Sequence, residues 1–176
     1  MPPKAPLLNT AYLLLGGNEG DRLKTLRECV AFLCKEVGTV ISASPIYETA
    51  AWGKEDLPAH LNQAIKMETD LSATALLQQV LAIEIKLGRQ RQEHWGCRTI
   101  DIDIIFFNED VVQTRDLVIP HPLMQVRRFV LQPLSDIAGA YIHPVLHQSV
   151  ATLLAQCTDP LAVTRYTTDL TADALL

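Results

Sequence analysis

No apolar run in this 176-residue chain approaches the roughly 18 residues that a membrane-spanning helix needs. The apolar stretch Ala11–Leu15 ends at Gly16-Gly17, too short for the hydrophobic part of a secretory signal. C-x-x-C pairs are missing as well. Cys29, Cys34, Cys97 and Cys157 have neither zinc-type spacing nor a disulfide framework, and read as reduced thiols of a cytoplasmic protein. Although Gly16-Gly17-Asn18-Glu19-Gly20-Asp21 is rich in glycine, no G-x-x-x-x-G-K-[ST] follows, which excludes a P-loop enzyme. The absence of H-R-D, D-F-G and G-x-S-x-G removes protein kinases and the usual hydrolase elbow. Basic excess is absent too: a formal net charge of −5 argues against nucleic acid or an anionic membrane as partner.

What is present suits one globular domain over residues 1–176, with a core of about residues 10–157 and a weakly patterned tail over 158–176. Residues 10–15 read as a buried strand ending in the glycine turn. Asp21 caps a helix that Gly38 stops. A strand over 39–47 is crossed by Pro45, which marks it as an edge or bulged strand. After a loop at 50–58 come a strand over 61–69 and a helix from Ser72 or Thr74 to Gly88. A further strand holds Asp101 and Asp103. Asn108-Glu109 turns it into a short partner strand over 110–114. Helical segments follow near 123–137 and 149–157. The order β-α-β, β-α-β predicts an α+β fold with a ferredoxin-like βαββαβ core, a mainly antiparallel sheet and helices on both faces.

The most informative stretch is Thr99-Ile100-Asp101-Ile102-Asp103-Ile104. Its period of two points the three isoleucines into a core and both aspartates to the other face, with Cβ atoms about 6–7 Å apart. At that distance two carboxylates repel by about 2.5 kcal/mol at an effective dielectric near 20. Divalent cations with oxygen ligation, such as Mg²⁺, relieve that repulsion. A bare D-x-D is short, and a solvated strand face is the ordinary explanation for one. Six of the nine arginines, however, lie in residues 89–128, and five of them, Arg89, Arg91, Arg98, Arg127 and Arg128, bracket the two aspartates. Guanidinium forks suit phosphate oxygens, so a polyphosphate held between Mg²⁺ and arginine is the chemistry this combination predicts. Trp52, Trp95 and Phe129 could stack on a planar heterocycle; each could equally cap the core. Asn62 offers an amide donor and acceptor, and His121 sits between two prolines. On these residues alone, another D-x-D transferase acting on a nucleotide and a non-catalytic ferredoxin-like binding module both remain open.

In order along the chain, Leu15-Gly16-Gly17-Asn18, Ser44-x-x-Tyr47-x-Thr49-x-x-x-Gly53, Leu61-Asn62, Glu84-x-x-x-Gly88-Arg89, Arg91, Trp95-Gly96-x-Arg98-Thr99-Ile100-Asp101-Ile102-Asp103, Ile119-Pro120-His121 and Arg127-x-Phe129 resemble the 6-hydroxymethyl-7,8-dihydropterin pyrophosphokinases. The resemblance covers about residues 11–145. It implies transfer of pyrophosphate from ATP to the hydroxymethyl group of the dihydropterin, releasing AMP, in folate biosynthesis. It further implies two Mg²⁺ ions on Asp101 and Asp103, with Arg89 and Arg98 on the transferring phosphates. Glu84, Arg91, Ile104, His121 and Arg127 would serve ATP. Thr49, Ala50, Trp52, His60, Asn62, Trp95 and Phe129 would line the pterin pocket. The expectation is a cytoplasmic monomer whose partners are these two small molecules. Gly17, Ala51, Cys97 and His60 depart from the family's usual Ser, Pro, Pro and Tyr or Phe. His60 is the most consequential, because imidazole stacks with less area.

Overall fold

The computed structural model describes residues 8–50, 58–89 and 99–167. Its elements run β1 (Asn9–Gly17), α1 (Arg22–Glu36), β2 (Thr39–Ala43), β3 (Tyr47–Thr49), β4 (His60–Thr69), α2 (Ala73–Lys86) and β5 (Asp101–Phe107). After these come β6 (Val112–Gln113), β7 (Val118–Ile119), a 3₁₀ turn (Met124–Val126), α3 (Arg128–Ala138), α4 (Val150–Gln156) and β8 (Val163–Arg165). The main sheet has the order β5-β1-β4-β3-β8, with β2 also on β4, and every pairing is antiparallel. β1 and β2 therefore run parallel to each other with β4 between them. That is the split βαβ expected, and the fold is α+β and ferredoxin-like.

Uninterrupted apolar sequence in β1 reflects burial on both faces. Ala11, Leu13 and Leu15 pack with Leu26 and Leu33 of α1 and Leu76, Val80 and Ile83 of α2. Tyr12 and Leu14 pack with Val130, Leu131 and Leu134 of α3 and Val150 and Leu153 of α4. Helices thus cover both faces, as expected. Caps fix where they start: Asp21 accepts from the Lys24 amide at 3.0 Å, Ser72 from Ala75 at 3.2 Å and Ser149 from Thr152 at 3.1 Å.

One irregularity decides the orientation of β5. Tyr12 lies opposite Phe106 and Leu13 opposite Ile104, so Ile105 is an extra residue on β5. Ile100, Ile102 and Ile104 face the α1/α2 layer, whereas Ile105 and Phe106 both face α3 and α4. Asp101 and Asp103 fall on the α3/α4 side of the sheet, opposite the three isoleucines.

Several sequence expectations are corrected. β1 runs through Gly16 and Gly17 rather than ending before them. The strand over 39–47 is two strands, β2 and β3, separated around Pro45. The segment after Asn108 does not pair with β5. Asn108 takes φ 47° and bonds back to Thr10, sending the chain off the sheet, and β6 pairs with β7 instead. Residues 123–137 are not one helix, because Arg127 is extended between the 3₁₀ turn and α3. The tail contains β8, a strand that the sequence reading passed over. Arg128, counted among the phosphate arginines, ties that tail down instead: its side chain donates to the Asp159 and Cys157 carbonyls, at 3.1 and 2.6 Å.

Cys29 lies wholly inside the α1/α2 layer, and burial, helped by the charge of Glu84, pushes its thiol up to about 12. An unfolded chain ionises this thiol from about pH 8.5. Stability from Cys29 is therefore intact below that pH and falls by about 1.4 kcal/mol per unit up to about 12. Burial raises Tyr141 to about 12 as well, so it adds to the loss above pH 10. Urea midpoints at pH 8 and 10.5 should diverge, and a Cys29→Ala chain should show a shallower dependence.

Candidate active site

Four residues line up across the sheet on the α3/α4 side. Asp101 of β5 is opposite Gly16 of β1, Gly16 is opposite Asn62 of β4, and Asn62 is opposite Tyr47 of β3. One row deeper, Asp103 is opposite Leu14, and Leu14 is opposite Ala64. α3 and α4 cover Leu14 and Ala64. Asp103 thus stands at the edge of the apolar layer, and the Asp101–Gly16–Asn62 row lies beyond it. Thr49 and His60 face each other across β3 and β4 on the same side. Thr49 and Asn62 are buried, and the Asn62 amide donates to the Thr49 hydroxyl at 3.4 Å. Ala50 follows at the exposed end of β3.

Gly16 is the residue whose part in this face the sequence reading missed, although a glycine inside a strand often marks close backbone approach. A Cβ there would stand 2.7 Å from Asn62 Oδ1. Gly16→Ala should displace the Asn62 amide and raise about tenfold, with kcat little changed, the KM of the substrate that Asn62 is expected to meet. Steady-state kinetics with each substrate varied in turn would read that split.

On the β5 side, Arg89 forms an ion pair with Asp101, Nη2 to Oδ1 at 2.9 Å, and another with Glu84 Oε2. Glu84 Oε1 accepts from the Ile102 amide at 2.7 Å. Glu84 is buried, which raises its pKa against the opposing pull of the Ile102 and Arg89 contacts. Both its oxygens are committed. In this arrangement it braces Arg89 beside Asp101. The Ile104 side chain is buried in the α1/α2 layer. The Ile102 amide meets Glu84 rather than β1, and strand alternation turns the Ile104 main chain to that same outer edge. Only the Ile104 backbone is offered to a ligand.

His121 and Arg127 close the deeper end. The His121 amide donates to Ile105 O at 3.1 Å, which docks the loop on β5. His121 Nδ1 accepts from the Leu123 amide at 3.3 Å, so the neutral ring carries its proton on Nε2. Burial lowers its pKa; Asp103 acts upward and Arg127 downward. Burial in turn pushes the Asp103 carboxyl up, reinforced by Asp101 and opposed by His121, Arg127 and Arg89. Arg127 lies over the Phe129 ring, 5.8 Å from its centroid. The structure thus brings together Asp101, Asp103, Arg89, His121 and Arg127 at one end, and Thr49, His60 and Asn62 at the other. Trp52, Arg91, Trp95 and Arg98, with Ala51 and Cys97, lie outside the described residues.

Among the described residues no three His, Cys, Asp or Glu side chains converge on one metal position. A pair of carboxylates on one strand face suits Mg²⁺, which keeps waters and takes further oxygens from substrate phosphates. The donor set fits that ion.

Residues 12–139 match the model of the 7,8-dihydro-6-hydroxymethylpterin-pyrophosphokinase (HPPK) family. A Bacillus subtilis 2-amino-4-hydroxy-6-hydroxymethyldihydropteridine pyrophosphokinase is 45% identical over 130 residues, covering 73% of this chain and 78% of the relative. Its Aquifex aeolicus counterpart is 37% identical over 136 residues, covering 77% and 84%. A Plasmodium falciparum HPPK-DHPS crystal structure superposes with a TM-score of 0.71 at 18% identity, covering 88% of this chain. This chain spans 45% of that one, and the likeness concerns the fold. The chain belongs to the 7,8-dihydro-6-hydroxymethylpterin-pyrophosphokinase family.

Proposed function

We propose that this chain transfers the β,γ-pyrophosphoryl unit of ATP to the hydroxymethyl group of 6-hydroxymethyl-7,8-dihydropterin, with Mg²⁺ held by Asp101 and Asp103. Family membership supplies the reaction. The observation that carries the residue assignment is the single sheet face on which Asp101, paired with Arg89, lies in one row with Asn62 across Gly16.

The pterin lies toward Thr49 and Asn62, whose hydroxyl and amide are buried and prealigned for the edge of a flat heterocycle. His60 and Phe129 would meet its faces. The triphosphate lies toward β5. Arg89, steadied by Glu84, presents its guanidinium to the β,γ-phosphates, and His121 donates from Nε2 to an oxygen beside it. Asp101 and Asp103 would hold Mg²⁺, which when bound would neutralise phosphate charge and lower the pKa of the attacking alcohol. The hydroxymethyl oxygen bonds to the β-phosphorus as the bond to the α-phosphate oxygen breaks. AMP leaves with that oxygen, and the alcohol proton passes to solvent or to a carboxylate. Positioning of the two substrates along one face contributes most of the rate. The Ile104 main chain, at the outer edge of β5, and Arg127 serve the nucleotide. A monomer in the cytoplasm completes the proposal.

Product analysis tests it. Incubation with ATP, Mg²⁺ and the dihydropterin should yield AMP and pterin pyrophosphate in equal amounts, and chelation of the metal should stop both. ADP in place of AMP, or no pterin product, would overturn the assignment.

A further inference from the structure

β3 is three residues long and has β4 on one edge. β8 covers its other edge, and β8 lies beyond the residues 12–139 that the family shares. The register sets Val163 opposite Thr49, Thr164 opposite Glu48 and Arg165 opposite Tyr47. One residue further, the Tyr166 amide donates to Ile46 O at 2.8 Å. On the pterin side of the sheet Arg165 stands opposite Tyr47, whose hydroxyl donates to Asp136 Oδ2 of α3 at 2.6 Å. On the other side Tyr166 packs against the α1/α2 layer, with the Arg22 guanidinium 5.9 Å from its ring centroid.

Arg22 connects this strand to both walls of the pterin face. Its Nη1 donates to Glu48 Oε1 of β3 at 2.8 Å and to the carbonyl of Ala59, just before β4, at 2.6 Å. Thr49 and His60 are the next residues on each strand. Arg22 opens α1 directly after the Asp21 cap, so its backbone is fixed. Asn18 adds a weaker tie to Pro58 O at 3.4 Å. Upstream, the bonds from Arg128 to the Asp159 and Cys157 carbonyls anchor the chain that leads into β8.

We propose that β8 and Arg22 form a positioning element for the pterin: together they clamp β3 onto β4 and so hold the Thr49 hydroxyl against the Asn62 amide. This rests on the pyrophosphokinase reading above. A partly exposed ion pair such as that of Arg22 and Glu48 contributes little to stability. A displacement of only about 0.5 Å, by contrast, is enough to spoil a binding constellation. Loss of the clamp therefore shows in pterin binding before it shows in folding, and the nucleotide end, on β5 across the sheet, is spared.

The test uses three variants of the full chain. Alternation from Tyr166 turns the Thr164 amide toward β3, so Thr164→Pro removes a ladder bond. Arg22→Met keeps the aliphatic stem and removes the Nη1 donor that bonds both strands. Tyr166→Ala removes the ring over Arg22. Each should raise the pterin KM, and the pterin Kd measured by fluorescence without turnover, by about five- to tenfold. The KM for ATP and kcat should stay within about twofold. Leu153→Ala in α4, remote from the clamp, serves as a control that loses stability and keeps its pterin Kd. If Thr164→Pro fails to fold, the Arg22 and Tyr166 variants, changed at partly exposed positions, decide. An unchanged pterin Kd in the folded variants refutes the positioning role, as does a Kd rise that Leu153→Ala shares. A wild-type chain that binds pterin but forms no AMP refutes the reaction instead.

Discussion

Asp101→Ala is expected to lower kcat by about a thousandfold or more, roughly 4 kcal/mol of transition-state stabilisation. The substitution removes half of the carboxylate pair and leaves Arg89 with Glu84 as its remaining carboxylate partner. Asp103→Ala should cost a similar amount. The double variant should be scarcely worse than either, because the two carboxylates act as one site. The effect on folding runs the other way. Asp101 and Asp103 repel each other on one strand face, and both burial and Asp101 push the Asp103 carboxyl up. Relief of that repulsion leaves the thermal midpoint of Asp103→Ala unchanged or raised. A melt beside an AMP-release assay checks both signs. Turnover within tenfold of the parent would remove the aspartates from the mechanism.

The largest stability effect is expected at Gly38, far from any chemistry. A Cβ on this residue would lie 2.0 Å from Glu68 O, 3.0 Å from Glu68 C and 3.1 Å from Thr69 Cα. All three are main-chain atoms of β4, a strand bonded to β1, β2 and β3, and cannot move aside. The Gly38 amide donates to Leu33 O at 3.2 Å, and Thr69 Oγ1 donates to Val37 O at 2.6 Å, so the end of α1 is seated on the end of β4. Gly38→Ala must unseat it, at about 3–5 kcal/mol. That should lower the thermal midpoint by about 10–15 °C in a domain of this size. Gly88 makes the contrast. It has φ +91° and nothing near its missing Cβ. Alanine there should cost only about 1 kcal/mol, from backbone conformation alone. Equal losses at the two positions would show that the seat is not the cause.

The isoleucine–aspartate alternation of β5 and the caps Asp21 and Ser72 were legible in the sequence because each depends on neighbours within a few residues. β3 and β8 were not, since a three-residue strand is defined by its partner rather than by its own pattern. Local spacing also could not assign the arginines: Arg89 and Arg128 differ only in what reaches them, Asp101 and Glu84 for one and the Asp159 and Cys157 carbonyls for the other. The same holds for Glu84, a charged residue on a helix whose burial under β5 makes it a brace. Gly16 read as a turn because glycine is the usual turn residue; its real constraint is the amide across the sheet.

The extra residue at Ile105 splits β5 into two halves that are out of phase. Ahead of it the odd positions carry carboxylates into the site; after it Phe106 and Phe107 supply opposite layers of the core. Loss or gain of one residue there would turn one half over, driving the aspartates into the α1/α2 layer or exchanging Phe106 and Phe107 between the two layers. Length, more than composition, is what this strand cannot vary. Substitutions along it can drift, while a single-codon deletion between Asp103 and Phe106 would end catalysis or folding at a stroke.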